Sequence, residues 1–490
     1  MLPVHGRDER APRDVVKGST RSGSLWSVAA VGFATVALLA LGKLLTNSLP
    51  PAGVGQVALT LLVAEFVGLF GGLGIPTALP KLLAAAKEDE GHHLTRGLLR
   101  LQFRVALALA TLVLLLVMAR PLWPQSIQFI LPDTPALAGA LPLLVVVVLL
   151  RDFLLAALAG RQYYRRRACA MMLMPGLLLV EFTALFQLDS PQPIAFLFAH
   201  GLAGIGGIVL LLGGLHRPDD AKGREPRAVP NALRFATPLY INNIMNFVYQ
   251  RVDTLLIVAW LDLGTAAIFE MAKRLPGLLS RVLRAALIPY LPTLAERLRD
   301  GNTGPAGQLI QQTMTLTAMA GYGVTLFLIA VANPLLAILF TSDYQSGTQA
   351  LGLLLIATCL AVQAGIIGQA LIALDRPKTV MHINLGLGLL SLTLNLVLVP
   401  RFGIVGAGWS AVAAATFSLA LQQVAVLRAG IAQQGTVLLR VHLFFCVALG
   451  LFYWLGDAMV PRLVVAVIFP AACFAAGATT VSSETREITS

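Results

Sequence analysis

The stretch 269-FEMAKRLPGLLSRVLRAALIPYLP-292 places Lys273, Arg274, Arg281 and Arg284, with Glu270 and two prolines, Pro276 and Pro289, inside an otherwise apolar segment. The chain around it has 490 residues, 57% hydrophobic and 12% charged, and its mean hydropathy is +0.79, far outside the usage of soluble domains. Such a chain is a polytopic, all-α membrane protein. Charges at membrane depth cost free energy unless something uses them, so this segment marks a candidate functional helix.

A bilayer-crossing helix needs about 20 mostly apolar residues. That ruler yields fourteen spans, at 25–46, 54–76, 105–123, 136–158, 169–188, 193–215, 235–258, 265–291, 312–333, 347–373, 380–400, 404–428, 440–457 and 462–480. The net charge of +12 would suggest nucleic acid in a soluble protein. In a membrane protein Lys and Arg gather in cytoplasmic loops instead, so no nucleic-acid partner is expected. With the N-terminus cytoplasmic, the inner side holds 26 of the 36 Lys and Arg, the outer loops hold only Arg120, Arg401 and Arg462, and seven lie within spans. This asymmetry predicts both termini inside and requires an even number of spans. The first apolar run is longer than a signal segment and lacks a small-x-small cleavage site, so it is expected to be an uncleaved span.

Two alignments at an offset of about 210 residues suggest an internal repeat. Gly53 matches Gly264, Pro76 matches Pro289 and Pro80 matches Pro292, while Asp133 matches Asp343. Repeats of this kind are a transporter signature, with the substrate site between the halves. The expected organisation is a cytoplasmic tail (1–24), a first lobe of six spans (25–215), an inner linker (216–234), a second lobe of six spans (235–428), two appended spans (440–480) and a cytoplasmic tail (481–490).

Within span 8, Glu270, Arg274 and Arg281 share a narrow sector at 100° per residue, with Arg284 beside them. Lys273 points away from Arg274. Arg281 and Arg284 either face a cavity or snorkel to the cytoplasmic interface, and Glu270 either faces it or pairs with Arg274 at i, i+4. In span 7, Asn242, Asn246, Tyr249 and Asp253 stack on one polar face that suits a cavity, and Arg251 projects to the other side. Span 11 repeats that spacing with Asn384, Gly388, Ser391 and Asn395, for which interhelical hydrogen bonding is expected. In the first lobe Lys43 lies near the outer end of span 1, Arg151 adjoins Asp152, and Glu65 and Glu181 sit mid-span. Lone His200 and His382 are expected to be packing residues. Glycine-rich 68-GLFGGLG-74 suits close helix packing.

No Gly-x-Ser-x-Gly, His-Glu-x-x-His or Walker-type loop occurs, so hydrolase, zinc protease and self-contained ATPase readings are disfavoured. The four cysteines are isolated, and neither a disulfide framework, a metal site nor any cofactor is expected.

The stretch 395-NLVLVPRFGIVGAGWSAVAAATFS-418 resembles the Asn-Leu-x-Leu-x-Pro-x-x-Gly-x-x-Gly-Ala turn of polysaccharide-lipid (Wzx-like, O-antigen type) flippases in the multidrug/oligosaccharidyl-lipid/polysaccharide exporter superfamily. Spans 1–2, "LLTNSLPPAGVGQVALTLLVAEFVGLFGGLGIPTALPKLLA", and spans 9–11 resemble the same family in order. The resemblance implies two six-helix lobes around a central cavity of alternating access in the inner membrane, with a polyprenyl-diphosphate-linked oligosaccharide as cargo and a glycan polymerase and glycosyltransferases as partners. It implies cavity cations for the anionic carrier, carried over to Lys43, Arg251, Lys273, Arg274, Arg281 and Arg284. Asn242 and Asn246 join them as substrate-binding candidates, and Asp253, Glu65 and Glu181 are ion-coupling candidates. The first two spans lack the several arginines of the lipid II flippase branch, and span 1 lacks the acidic residue of many drug exporters. Those relatives are the alternatives, and a membrane-embedded glycan polymerase or ligase is a third that the short outer loops disfavour.

Overall fold

The computed structural model describes residues 13–86, 88–123, 135–187, 192–213, 228–287, 290–299, 303–374, 376–431, 436–456 and 458–488. Asp133, Pro289, most of the 216–234 linker and the chain ends lie outside the described residues, and so do the alignments of Asp133 with Asp343 and of Pro76 with Pro289.

All regular structure among the described residues is helical. The helices are α1 (Arg13–Ser48), α2 (Pro51–Gly72), α3 (Ile75–Ala85), α4 (Glu88–Met118), α5 (Pro135–Gly160), α6 (Tyr164–Phe186), α7 (Pro193–Gly213), α8 (Ala228–Trp260), α9 (Leu263–Ala286), α10 (Tyr290–Arg299), α11 (Thr303–Ala330), α12 (Ala332–Leu339), α13 (Thr348–Ala373), α14 (Pro377–Arg428), α15 (Thr436–Trp454) and α16 (Met459–Ile488).

Ten of these segments are long and apolar enough to cross a membrane by length and composition. The long α14 counts twice. Gly403, at φ 58°, breaks it, and Ser410 Oγ donates to the Ser391 carbonyl at 3.3 Å. Nineteen residues of straight helix would separate those atoms by roughly 28 Å at 1.5 Å per residue, so the chain reverses at Gly403 into an antiparallel hairpin. Gly406 faces the Leu398 carbonyl across that turn, and a Cβ on it would lie 2.6 Å from the carbonyl carbon. Helices α8 and α9 are long enough to span but stand outside those ten, because α9 carries Glu270, Lys273, Arg274, Arg281 and Arg284 and α8 carries several asparagines with Arg251 and Asp253. With α16, whose apolar described part is short, the expected fourteen spans are accounted for.

Two boundaries differ from expectation. Span 2 stops at Gly72 because Leu73 and Gly74 both take left-handed φ, 49° and 72°, and Pro76 then opens the short α3. Span 8 stops at Ala286 and is followed by the short α10. The same long-helix, short-helix unit therefore stands at α2–α3 and α9–α10, a structural echo of the repeat.

Helices α1, α2 and α4–α7 pack on one another, as do α8, α9, α11, α13 and α14. The appended pair α15–α16 lies on α11, where Tyr322 stacks on Phe445 at 3.9 Å between ring centroids and accepts a hydrogen bond from Gln363 Nε2 at 3.0 Å. Aromatic pairs of this kind add about 0.5–1.5 kcal/mol beyond area burial. The lobes meet chiefly through α2 on α9 and α3 on α8. Gly55 makes the first contact close: a Cβ there would lie 2.6 Å from the Leu263 carbonyl carbon.

Candidate functional site

Between the lobes lies a cavity of about 810 Å³ walled by α1, α2, α7, α8, α9, α13 and α14. The two helices too polar for lipid supply its charge. Helix α9 starts at Asp262, whose carboxylate accepts from the Thr265 N–H at 2.8 Å and from its hydroxyl at 2.6 Å. These bonds, the Thr265 hydroxyl foremost, hold the Asp262 carboxyl below its ordinary range. From that cap the helix runs as one piece through Pro276, which itself lines the cavity.

Its cations divide into two groups. Lys273 Nζ turns to α8, reaching Asp253 at 3.0 and 3.2 Å, the Gln250 carbonyl at 3.0 Å and Glu270 at 3.5 Å. Arg251 on α8 reaches Glu65 on α2 at 3.1 Å and Glu270 at 3.6 Å. Thr254 Oγ1 donates to Glu270 as well. Three carboxylates and two cations thus form one continuous network across both lobes, and Glu270 pairs sideways with α8 rather than with Arg274 one turn away. Arg251, expected on the side of α8 opposite Asp253, lines the same cavity by reaching the neighbouring helices α2 and α9.

Arg274, Arg281 and Arg284 form the second group. Among the described residues no carboxylate lies within ion-pair distance of any of them. Arg274 Nη1 donates to the Leu38 carbonyl of α1, Arg281 Nη1 donates to Thr35 Oγ1 at 2.9 Å, and Arg284 Nε donates to Ser280 Oγ at 3.1 Å. Each keeps spare guanidinium donors, since five are available and one is used. Gly42 is what lets Arg274 come so near α1: a Cβ there would lie 2.9 Å from Cζ of Arg274. The 100° between Lys273 and Arg274 on the helix wheel is what sends one to α8 and the other to α1.

Of the sequence candidates, Arg251, Lys273, Arg274, Arg281, Arg284, Asn246, Asp253 and Glu65 line this cavity. Three do not. Lys43 Nζ donates to the Ile338 carbonyl at 2.9 Å, near the C-terminal end of α12, where a cation is favoured by the exposed carbonyls. Asn242 stands off the cavity wall, one residue before Asn243, which donates to Thr77 Oγ1 on α3 at 2.8 Å. Glu181 lies on α6 with Oε2 buried and unpaired, away from the cavity. His200 on α7 was expected to be a packing residue, but it lines the cavity with Nδ1 buried and unpaired. No pattern in the lone-histidine sequence of α7 signals that. In the α14 hairpin Asn395 Nδ2 donates to the Ser391 carbonyl one turn back at 2.8 Å, and Ser410 Oγ crosses the hairpin to the same carbonyl; interhelical bonding alone was expected of that stripe, but Ser391 and Asn395 also line the cavity.

One wall of the cavity thus carries cations without a carboxylate partner among the described residues, and the other carries charges that are paired. Comparison with known proteins gives the lineage. The model of the polysaccharide biosynthesis protein family matches residues 22–296, more than half of the chain. The chain belongs to that family. A second model, of the lipid II flippase MurJ, matches residues 216–474. Among curated proteins none matches. Among solved structures, the inward closed conformation of the lipid II flippase MurJ is 13% identical at TM-score 0.69, over 93% of this chain and 99% of that one. An inward-facing MATE family multidrug resistance transporter of the MOP superfamily is 15% identical at TM-score 0.61, over 81% and 95%. A MOP superfamily transporter from Pyrococcus furiosus, described as having a binding pocket of reverse polarity, is 12% identical at TM-score 0.57, over 83% and 95%. At these identities the structures establish the fold. The two family models and the many apolar helices make this family member a multi-pass membrane protein of flippase type.

Proposed function

We propose that the protein translocates a polyprenyl-diphosphate-linked oligosaccharide from the cytoplasmic to the outer face of the inner membrane by alternating access, during polysaccharide biosynthesis. The observation that carries this reading is the triad Arg274, Arg281 and Arg284, which faces the interlobe cavity without a carboxylate partner while Arg251 and Lys273 are neutralised. A diphosphate is a strong acceptor that guanidinium groups hold through charge-assisted, often bidentate bonds. Burying it uncompensated would be prohibitive. Asn246 adds a polar group on the facing helix, and the isoprenoid tail stays in lipid. Lys43 serves as a tie between lobes in this reading.

Orientation rests on the Lys and Arg asymmetry, which supports termini inside and puts the α1–α2 and α8–α9 turns at the outer face. The Gly55–Leu263 contact then closes the outer end. Moving roughly two negative charges outward across about 100 mV, inside negative, releases about 4–5 kcal/mol, so the membrane potential suffices as a driving force. Asp253 and Glu65 are the carboxylates in position to couple a cation. A glycan polymerase and glycosyltransferases are the expected partners.

The match of residues 216–474 to the MurJ model favours lipid II as the second reading of the cargo. A cation exporter fits poorly, because three unneutralised arginines repel a cationic drug. The test is glycan export in cells whose own flippase is deleted: Arg274→Ala with Arg281→Ala abolishes export while the protein still accumulates in the membrane. Full export by that double variant overturns the reading, and rescue of a lipid II flippase deletion instead selects the second cargo.

A further inference from the structure

A second, smaller cavity of about 330 Å³ opens beside the first, between α2, α3, α5 and α8. Glu65 lines both, so the two spaces share a wall. The smaller one differs from the arginine wall in charge and in chemistry. Arg151 Nε bonds Asp152 at 2.9 Å, and Glu65 is already paired with Arg251, so its charges cancel in pairs. Around them stand Thr77, whose hydroxyl accepts from Asn243, and the ring of Phe247, which packs against Phe66 at 5.5 Å between centroids. The glycine-rich stretch of α2 forms another wall, where Gly68 and Gly72 present no side chain.

Paired ions, an amide, a hydroxyl and an aromatic ring around a water-accessible hollow suit a ligand with many hydroxyl groups and no net charge. A phosphate would find no unpaired cation there, and a metal ion would meet the Arg151 guanidinium. The carboxylates of Asp152 and Glu65 keep free lone pairs that accept from hydroxyls, the Asn243 carbonyl accepts one more, and the Phe247 face suits the apolar side of a sugar ring. The volume stands at the small end of ligand pockets, which run about 300–1,000 Å³.

We infer that this side cavity is a sugar subsite that takes neutral sugar residues of the cargo while the arginine wall holds the diphosphate, and that it is where the flippase tells one glycan from another. The inference rests on the lipid-linked cargo proposed above. It also gives Gly72 a role that helix packing alone does not: Gly68, Gly71 and Gly74 sit tight against their neighbours, whereas the missing side chain of Gly72 leaves room for the glycan.

The test is binding by the purified full-length protein of two probes, polyprenyl diphosphate alone and polyprenyl diphosphate carrying a neutral trisaccharide. A Cβ on Gly72 has its nearest neighbour at 3.7 Å, on Pro76, so Gly72→Val is accommodated at the backbone and fills the hollow with its methyls. Wild type is expected to bind the glycan-bearing probe about tenfold more tightly than the bare one, the worth of one or two net hydrogen bonds. Gly72→Val and Asn243→Ala are expected to abolish that tenfold and leave the bare probe unaffected, whereas Arg281→Ala weakens both. Retained discrimination in Gly72→Val and Asn243→Ala, with folding intact by thermal melting, overturns the subsite. So does a change seen only in sodium dependence, or a free trisaccharide that competes as well as the lipid-linked one. Failure of wild type to bind the bare diphosphate overturns instead the parent reading, a separate result because the bare probe never enters the side cavity.

Discussion

Arg251 on α8 and Glu65 on α2 meet at 3.1 Å across the two lobes, and the same guanidinium reaches Glu270 on α9. One side chain therefore joins the halves of the transporter at the cavity they enclose. Its neutralisation by two carboxylates is what separates it from the arginines beside it.

Removing Glu65 loosens that join and frees a cation. Both partners are partly solvated, with 35% and 40% of their side chains exposed, so the pair contributes on the order of 0.2–1 kcal/mol. That suffices to shift a two-state balance by up to about fivefold. Glu65→Gln is expected to raise the population with separated lobes, read by cysteine accessibility of the cavity, and unchanged accessibility would contradict the tie.

Lys273 and Asp253 are a deeper pair, 19% and 12% exposed. Truncating Lys273 leaves Asp253 charged and unpaired, a loss of about 3–5 kcal/mol for a buried pair, whereas truncating Asp253 leaves Lys273 its contact with Glu270 at 3.5 Å. Lys273→Met alone is expected to lower the thermal midpoint in detergent strongly and Asp253→Leu alone less, and the double variant Lys273→Met with Asp253→Leu to recover most of the loss of Lys273→Met. Equal loss in single and double variants would contradict the pairing.

The turns at one end of the bundle are positioned for a reversible lock. The Cβ of Pro51 stands 3.6 Å from where a Cβ on Gly264 would be, within the 3.5–4.5 Å of disulfides. With the native cysteines replaced, Pro51→Cys with Gly264→Cys is expected to cross-link under mild oxidation, stop transport, and regain it on reduction. Gly55→Leu forces α2 from α9 and is expected to suppress the same cross-link.

Asp262 caps α9 from a loop position, and Asp262→Ala is expected to cost about 1 kcal/mol as an N-cap loss. Its lowered pKa fixes the sign of the pH dependence. The cap contributes fully above the ordinary carboxylate pKa and is lost as pH falls through the depressed folded-state value. Wild type and Asp262→Ala should therefore converge in thermal midpoint only in strong acid.

Much of the fold was legible because spans are long and their charges are rare. Fourteen crossings, the α14 turn around Gly403 and the conflict between charge and depth in α9 all follow from local composition. The divergence of Arg274 from Lys273 was legible from the helix wheel, but the helix that each one meets was not, since Leu38 of α1 offers Arg274 only a backbone carbonyl. The pairing of Arg251 with Glu65 spans 186 residues of sequence and needs the lobes docked. Asn242 and Asn243 share composition and differ only by which neighbour packs on them. The α2 break was hidden because Leu73 takes a left-handed φ that leucine seldom adopts.

The most direct test of the central claim is translocation of a polyprenyl-diphosphate-linked oligosaccharide by the reconstituted protein in vesicles with an imposed potential. Each charge-assisted hydrogen bond to the diphosphate is worth about 1.5–3 kcal/mol, so Arg274→Ala or Arg281→Ala is predicted to slow transfer about 10- to 150-fold. The triple change including Arg284→Ala is predicted to abolish it, while Lys43→Ala retains transfer of the bound cargo. Wild-type transfer by the triple variant would contradict the assignment of the diphosphate to the three unpaired arginines.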